Sequence, residues 1–260
     1  MKIKDIALPE EMKALLAKNI QELNEPQKMA LRAGLLERKN LVVASPTASG
    51  KTLIAEMAIL KNFSEHGKTL YLVPLKALGS EKFSDFKEKY GHMMKIALSL
   101  GDYDSDSQWL ERYDLIITSN EKADSLLRHG ASWLKDVTLV IADEIHMIDD
   151  ASRGPTLEVV LTALRAAQPH MLALSATISN AKEIATWLNA DLIESDYRPV
   201  KLYKGVYYPY TLDIDEKSSI ELPKQKEAEA VLAKHALEQG KQSLVRKSAI
   251  TWRVLRYADK

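Results

Sequence analysis

The chain has 260 residues, 46% hydrophobic and 28% charged, enough apolar material for one large domain or a domain plus part of another, and too much for a disordered chain. Its 36 basic and 36 acidic side chains cancel, so no global basic signature of nucleic-acid binding exists and any such contact must come from a local surface. The absence of cysteine excludes disulfides, zinc–thiolate sites, iron–sulfur clusters and cysteine nucleophiles. The first nine residues lack the apolar core of a signal peptide, and no apolar run approaches the roughly 18 residues of a membrane span, so a cytoplasmic chain with no membrane partner is expected.

In chain order, residues 10–18 and 27–37 predict helices joined by a turn around Asn24, Glu25 and Pro26. Short apolar runs then alternate with longer amphipathic stretches. The runs at 41–44, 69–73, 96–100, 115–117, 138–142 and 171–174 show little polar alternation, which predicts strands buried on both faces of a parallel sheet. The stretches at 52–63, 77–89, 121–128, 156–167 and 181–188 predict helices, the last opened by a capping box of Asn180 and Glu183. Strand–helix alternation of this kind predicts an α/β layered fold, a parallel sheet flanked by helices. Past Asp196 the style changes. Residues 202–210 are aromatic and strand-like, 213–226 are charged, 226–239 predict a helix stopped by Gly240, and 242–245 could begin a strand. The expected organisation is a first domain at 1–205, a linker at 206–225 and an incomplete second unit at 226–260.

Strand 41–44 runs into Ser45, Pro46, Thr47, Ala48, Ser49, Gly50, Lys51 and Thr52, and a helix follows. This resembles the Walker A pattern G-x-x-x-x-G-K-[ST], with Ser45 in place of the first glycine. The spacing suits a phosphate site: loop N–H groups curl around the anion, the helix N-terminus faces it, and Gly50 allows close backbone approach. Lys51 would contact the β- and γ-phosphates and the Thr52 hydroxyl would ligate magnesium. The alternative is a serine-rich loop that merely contains Gly-Lys-Thr; the strand–loop–helix context argues against it.

Strand 138–142 ends in Asp143, Glu144, Ile145 and His146. Acids at the carboxyl end of a parallel strand lie where α/β sheets bind ligands. Asp143 would hold magnesium and Glu144 would orient and polarise the attacking water. Alone, two acids after a strand are an exposed loop; with a P-loop upstream, the catalytic reading prevails. His146 by itself could be a packed or solvated histidine.

Taken together these segments resemble a superfamily-two helicase of the DEAD/DEAH class, in its superkiller-type (Ski-two-like) branch and nearest the archaeal DNA-repair helicases. Further segments match in order over about the first 210 residues. Glu25, Pro26 and Gln27 are similar to the Q-motif, whose glutamine reads the adenine edge. Pro74, Leu75, Lys76, Ala77 and Leu78, with Glu81, resemble motif Ia; Gly101, Asp102, Tyr103 and Asp104 resemble the loop after it; Thr118, Ser119, Asn120, Glu121 and Lys122 resemble motif Ib; Ser175, Ala176 and Thr177 resemble motif III. The resemblance implies a RecA-like P-loop NTPase domain that takes ATP and Mg²⁺. It also implies single-stranded or branched DNA as partner, with RNA as the other candidate, gripped by Pro74, Lys76, Ala77, Gly101, Thr118, Ser119 and Lys122. On charge patterning alone, Lys76 and Lys122 could equally be solvated surface lysines. His146, Ser175 and Thr177 would couple hydrolysis to strand grip, although a plain strand-end turn also accounts for the last two.

The family's second motor domain carries motifs IV to VI and a Q-x-x-G-R-A-G-R-like arginine finger. None occurs in these 260 residues, and Arg246, Arg253 and Arg256 lie in the wrong context. The expectation is a nucleotide-binding motor domain that is weak or inactive alone and works with a second helicase domain or other copies. Two other readings stand beside it. A nucleic-acid clamp without productive turnover has no need of Glu144. An unrelated P-loop kinase or transporter ATPase leaves Gln27, residues 74–81 and Ser175-Ala176-Thr177 unexplained.

Overall fold

The computed structural model describes residues 1–18, 20–101 and 107–199 in full and, beyond them, the backbone of five strands. Two compact units result, 1–197 and 198–260.

The first unit is built on a seven-stranded sheet: β1 (Leu41–Ala44), β2 (Lys68–Val73), β3 (Ile96–Ser99), β4 (Leu115–Ser119), β5 (Val137–Ala142), β6 (His170–Ser175) and β7 (Asp191–Glu194), in the order β3-β4-β2-β5-β6-β1-β7. Every pairing is parallel. The predicted α/β class and parallel sheet are therefore found. The apolar runs separate into two layers by alternation. Leu41, Val43, Tyr71, Leu139, Ile141, Leu172 and Leu174 enter one core with α1 (Glu10–Ala17), α2 (Glu25–Arg32), α3 (Lys51–Ser64) and α4 (Lys76–Tyr90). Val42, Leu70, Leu72, Ile116, Val140, Met171 and Ala173 enter the other with α5 (Asn120–Arg128), α6 (Gly154–Arg165) and α7 (Ala181–Leu188). Period-two side-chain direction makes one strand serve both layers, which is why these runs show no polar alternation.

Three expectations are corrected. The second helix runs Glu25–Arg32 rather than 27–37: Asn24 caps it, Pro26 sits in its first turn, and Gly34 at φ 101° turns the chain away. The edge strand β7 was not foreseen, because Asp191 and Glu194 give it no buried apolar run. Asn180 makes no side-chain cap bond. Its amide donates instead to both Asp149 carboxylate oxygens, at 2.8 and 3.0 Å, a charge-assisted contact that orients the side chain toward Asp149 and leaves Oδ1 off the helix N–H groups.

In the second unit the described backbone forms an antiparallel sheet, β10-β9-β8-β12-β11, from β8 (Leu202–Tyr208), β9 (Thr211–Ile214), β10 (Ser218–Glu221), β11 (Lys241–Leu244) and β12 (Arg253–Asp259). The helix expected at 226–239 lies outside the described residues. Among the described residues, no helix is long and apolar enough to cross a membrane.

One buried side chain gives the fold a pH dependence. Burial, with the neighbouring Arg38 charge adding to it, pushes His170 down to about 4 against an opposing hydrogen bond with the Lys39 backbone. Its Nε2 has no hydrogen-bond partner among the described residues. The unfolded chain therefore binds a proton that the folded chain refuses between pH 6.5 and about 4, so this contribution is present above pH 6.5 and is lost on acidification. The full shift corresponds to about 3 kcal/mol. Urea midpoints at pH 7 and pH 4.5 should show this loss in the parent chain and a smaller one in His170→Asn.

Candidate nucleotide and nucleic-acid site

All seven strands point the same way, so their carboxyl ends share one edge of the sheet. The P-loop leaves β1, Asp143 follows β5, and between these strands lies β6, ending at Ser175. The remaining site segments leave the other half of the same edge: Pro74 after β2, Gly101 after β3, and Thr118 and Ser119 at the end of β4. One row of strand ends thus carries both sets of expected residues.

In the loop, Ala48 (φ 66°) and Gly50 (φ 85°) take left-handed backbone, and Gly50 caps α3. Such alternation curls successive N–H groups into a concave anion-binding nest ahead of the helix N-terminus. Ser45 does not have a positive φ, so the substituted first glycine costs no strain. Its hydroxyl lies 2.7 Å from that of Ser49, both fully buried, and braces the loop across its base. The Ser45 N–H donates to the Ser175 carbonyl at 3.1 Å, joining the loop to the end of β6. Lys51 Nζ donates to the Ser45 and Pro46 carbonyls at 2.7 and 3.0 Å. Pro46 is buried, while Thr47 and Ala48 are exposed at the loop tip.

The N-terminal helices set the loop from outside. Asn24 and Gln27 form a capping box: the Asn24 side chain accepts from Gln27 N at 3.2 Å and Gln27 Oε1 accepts from Asn24 N at 2.8 Å. The remaining amide donors clamp the loop, Asn24 Nδ2 to the Ser49 carbonyl at 2.7 Å and Gln27 Nε2 to the Gly50 carbonyl at 3.1 Å. A Cβ added at Gly50 would collide with the Gln27 amide and lie 2.8 Å from Asn24 Nδ2. Gly50→Ala should therefore cost about 2 kcal/mol or more, from left-handed strain plus a broken clamp. Its urea midpoint and its nucleotide affinity should fall together.

At the second carboxylate, the Tyr71 hydroxyl donates to Asp143 Oδ2 at 2.7 Å. Burial, and then the Asp143 charge itself, push the Tyr71 phenol well up, so it stays a donor. The other oxygen, Oδ1, accepts from the Glu144 N–H at 3.0 Å. Glu144 has left-handed backbone, φ 52°, where the chain turns from β5 into the short helix Ile145–Asp149. His146 Nδ1 lies 3.3 Å from Glu144 Oε2, close enough for an ion pair yet outside hydrogen-bond geometry. Ser175 Oγ is fully buried with no partner among the described residues, and Thr177 beyond it is exposed.

On the other half of the edge, Lys76 and Ala77 are exposed at the start of α4, whereas Pro74, Thr118 and Ser119 are buried. The Ser119 hydroxyl caps α5 by accepting from Lys122 N at 3.2 Å. Lys122 is only 6% exposed, which removes the solvated-surface alternative for it. Asp102, Tyr103 and Asp104 lie outside the described residues.

The donor set fits a magnesium–nucleotide. A nest of N–H groups, an ammonium, a hydroxyl at Thr52 and a carboxylate at Asp143 are the groups a triphosphate and a hard cation require. No group of three or more His, Asp and Glu side chains among the described residues could hold a metal. A cation at Thr52 and Asp143 would therefore need phosphate oxygens and water to complete its shell.

A parallel α/β sheet with a P-loop and an acidic strand end on one edge defines a P-loop NTPase domain. The family model for DEAD/DEAH box helicases matches residues 24–184, and the chain belongs to that family. It is similar to proteins named ATP-dependent DNA helicase Hel308 from three archaea. Identity is 49% with that of Thermococcus kodakarensis (94% of this chain, 22% of the relative). It is 52% with that of Pyrococcus abyssi (80% and 29%) and 46% with that of Methanocella arvoryzae (94% and 34%). The chain thus spans about a third or less of the length of these relatives. The crystal structure of the DUF1998 helicase MrfA bound to DNA superposes with a TM-score of 0.61 at 25% identity, covering 73% of this chain and 30% of that one.

Three residues that the sequence reading did not single out take part in this geometry: Asn24, Tyr71 and Lys82, whose Nζ reaches the Thr52 hydroxyl at 2.9 Å. Asn24 carried a signal, a capping residue three positions before a glutamine. Tyr71 carried a weaker one, since a phenol in a fully buried strand needs a partner for its hydroxyl. Nothing in the sequence marks Lys82.

Proposed function

We propose that this chain is the ATP-binding motor domain of an ATP-dependent nucleic-acid helicase, with DNA as its strand, and that it works with a second motor domain. The observation that carries this reading is the single row of strand ends on which the P-loop, Asp143, Ser175 and the segments at Pro74 and Ser119 follow one another. In the proposed division of labour, the N–H groups of residues 45–50 cradle the phosphates, Lys51 contacts the β- and γ-phosphates, and Gln27 sits on the adenine side. Thr52 and Asp143 would hold magnesium, which when bound neutralises charge on the transferred phosphoryl group. Glu144 orients water for in-line attack and accepts its proton. His146, Ser175 and Thr177 relay the state of the phosphate site to the strand-binding half.

For the strand, exposed Lys76 and Ala77 at the head of α4 supply phosphate contacts independent of sequence, with Pro74, Gly101, Thr118, Ser119 and Lys122 shaping the surface. The DNA in the relatives' names and the DNA bound in the MrfA structure support DNA over RNA. On sequence grounds, residues 1–205 are assigned to the first motor domain, 206–225 to a linker and 226–260 to the opening of the second, in a cytoplasmic protein. Steady-state ATP hydrolysis with and without single-stranded DNA tests the reading. Turnover that survives Lys51→Ala unchanged would overturn it.

A further inference from the structure

Two helices meet beside the phosphate site through polar contacts in a mostly apolar layer. At one end, α4 supplies Tyr90 and Lys89, whose hydroxyl and ammonium hold the buried Glu56 of α3 at 2.6 and 2.7 Å. At the other end, α4 supplies Lys82, whose ammonium donates to Thr52 Oγ1 at 2.9 Å. In the first contact the exposed Lys89 satisfies the buried Glu56 carboxylate. In the second, Lys82 is partly buried and, among the described residues, bonds a neutral hydroxyl rather than a carboxylate. Its bond to the Thr52 hydroxyl places an ammonium where a hard cation would be held.

We propose that Lys82 is a positioning residue of the nucleotide site, whose ammonium competes with the divalent cation for the Thr52 hydroxyl. The proposal rests on the reading of Thr52 as a magnesium ligand. Magnesium lies at about 2.1 Å from an oxygen ligand, so an ammonium that kept its 2.9 Å bond to the same oxygen would sit within about 5 Å of a double positive charge. Like charges at that separation disfavour each other, so magnesium and Lys82 compete for Thr52. Without magnesium, the same ammonium adds positive charge beside Thr52 to that of Lys51 and favours an anion there. The competition has a structural address, because Lys82 lies on the helix whose first residue is Lys76, at the proposed strand-binding segment. Binding of the metal–nucleotide releases this tether, while the Glu56 contact keeps the far end of α4 anchored.

The test is equilibrium binding of a fluorescent ATP analogue to the intact 260-residue chain, in excess EDTA and in excess Mg²⁺, for the parent, Lys82→Met and Lys82→Arg. The expected result is a sign change. Lys82→Met binds about threefold or more weaker in EDTA and about threefold or more tighter in Mg²⁺, and it reaches half-saturation at a lower Mg²⁺ concentration. Lys82→Arg, which keeps the charge, stays near the parent. A merely structural role moves both conditions in the same direction, and that result, or no change in either, overturns the proposal. Urea midpoints of the three proteins show whether a common loss comes from unfolding. Lys51→Ala run alongside separates the two levels: if it binds as the parent does, the nucleotide site itself has been misplaced, whatever Lys82 does.

Discussion

Replacing Lys51 by alanine is expected to weaken magnesium–ATP binding about 100-fold and to abolish measurable turnover. The estimate follows from losing charge-assisted hydrogen bonds, about 3 kcal/mol in total. The loop also loses a brace, because the Lys51 ammonium ties the Ser45 and Pro46 carbonyls together. Glu144→Gln should behave differently. Its side chain takes no part in the loop contacts, so nucleotide affinity should stay within about twofold while the hydrolysis step falls about 10²–10⁴-fold, the usual worth of a general base. Fluorescent-nucleotide titration and single-turnover hydrolysis on the two variants separate binding from chemistry. Equal loss of affinity in both would remove Glu144 from its proposed role.

The second large effect concerns groups that these 260 residues do not contain. The chain alone should bind nucleotide and hydrolyse it slowly, because no arginine-finger segment is present in its sequence. Supplying such an arginine is worth about 10³–10⁵ in rate, or ~4–7 kcal/mol of barrier. Adding a separately produced second motor domain, with single-stranded DNA, should therefore raise turnover by that order. The rise should disappear when the finger arginine of the added domain is replaced. Mixing that leaves turnover unchanged would sink the missing-arginine explanation, and fast DNA-stimulated hydrolysis by the chain alone would place the missing group within it or within another copy.

Much of this molecule was legible from residue order because its devices are local. A buried strand running into Ser45–Thr52 and a helix is readable within a dozen residues, since the nest, the glycine and the helix N-terminus are all made by neighbours in sequence. The parallel sheet was legible for a related reason: strands buried on both faces cannot alternate with polar residues. The α2 boundaries were written locally, in the Asn24 cap and the Gly34 turn, whereas the absence of a cap bond at Asn180 was not legible, because it depended on a distant partner. Asn180 could have capped its own helix, and only the arrival of Asp149 diverted it.

The sequence by itself determined which chemical groups are available: Lys51, Thr52, Asp143, Glu144 and Gln27, each carried by a motif with its own local logic. Only the tertiary structure decided what those groups touch. It set Asn24 and Gln27 against the loop they do not adjoin in sequence, buried Tyr71 beside Asp143, covered Lys122, and brought Lys82 to Thr52. Hydrophobic periodicity fixes which face of an element is buried, but not which polar atom of one helix meets which atom of another. Those meetings follow from the order of strands in the sheet and the packing of helices across it, both of which are set by contacts between residues far apart in the chain.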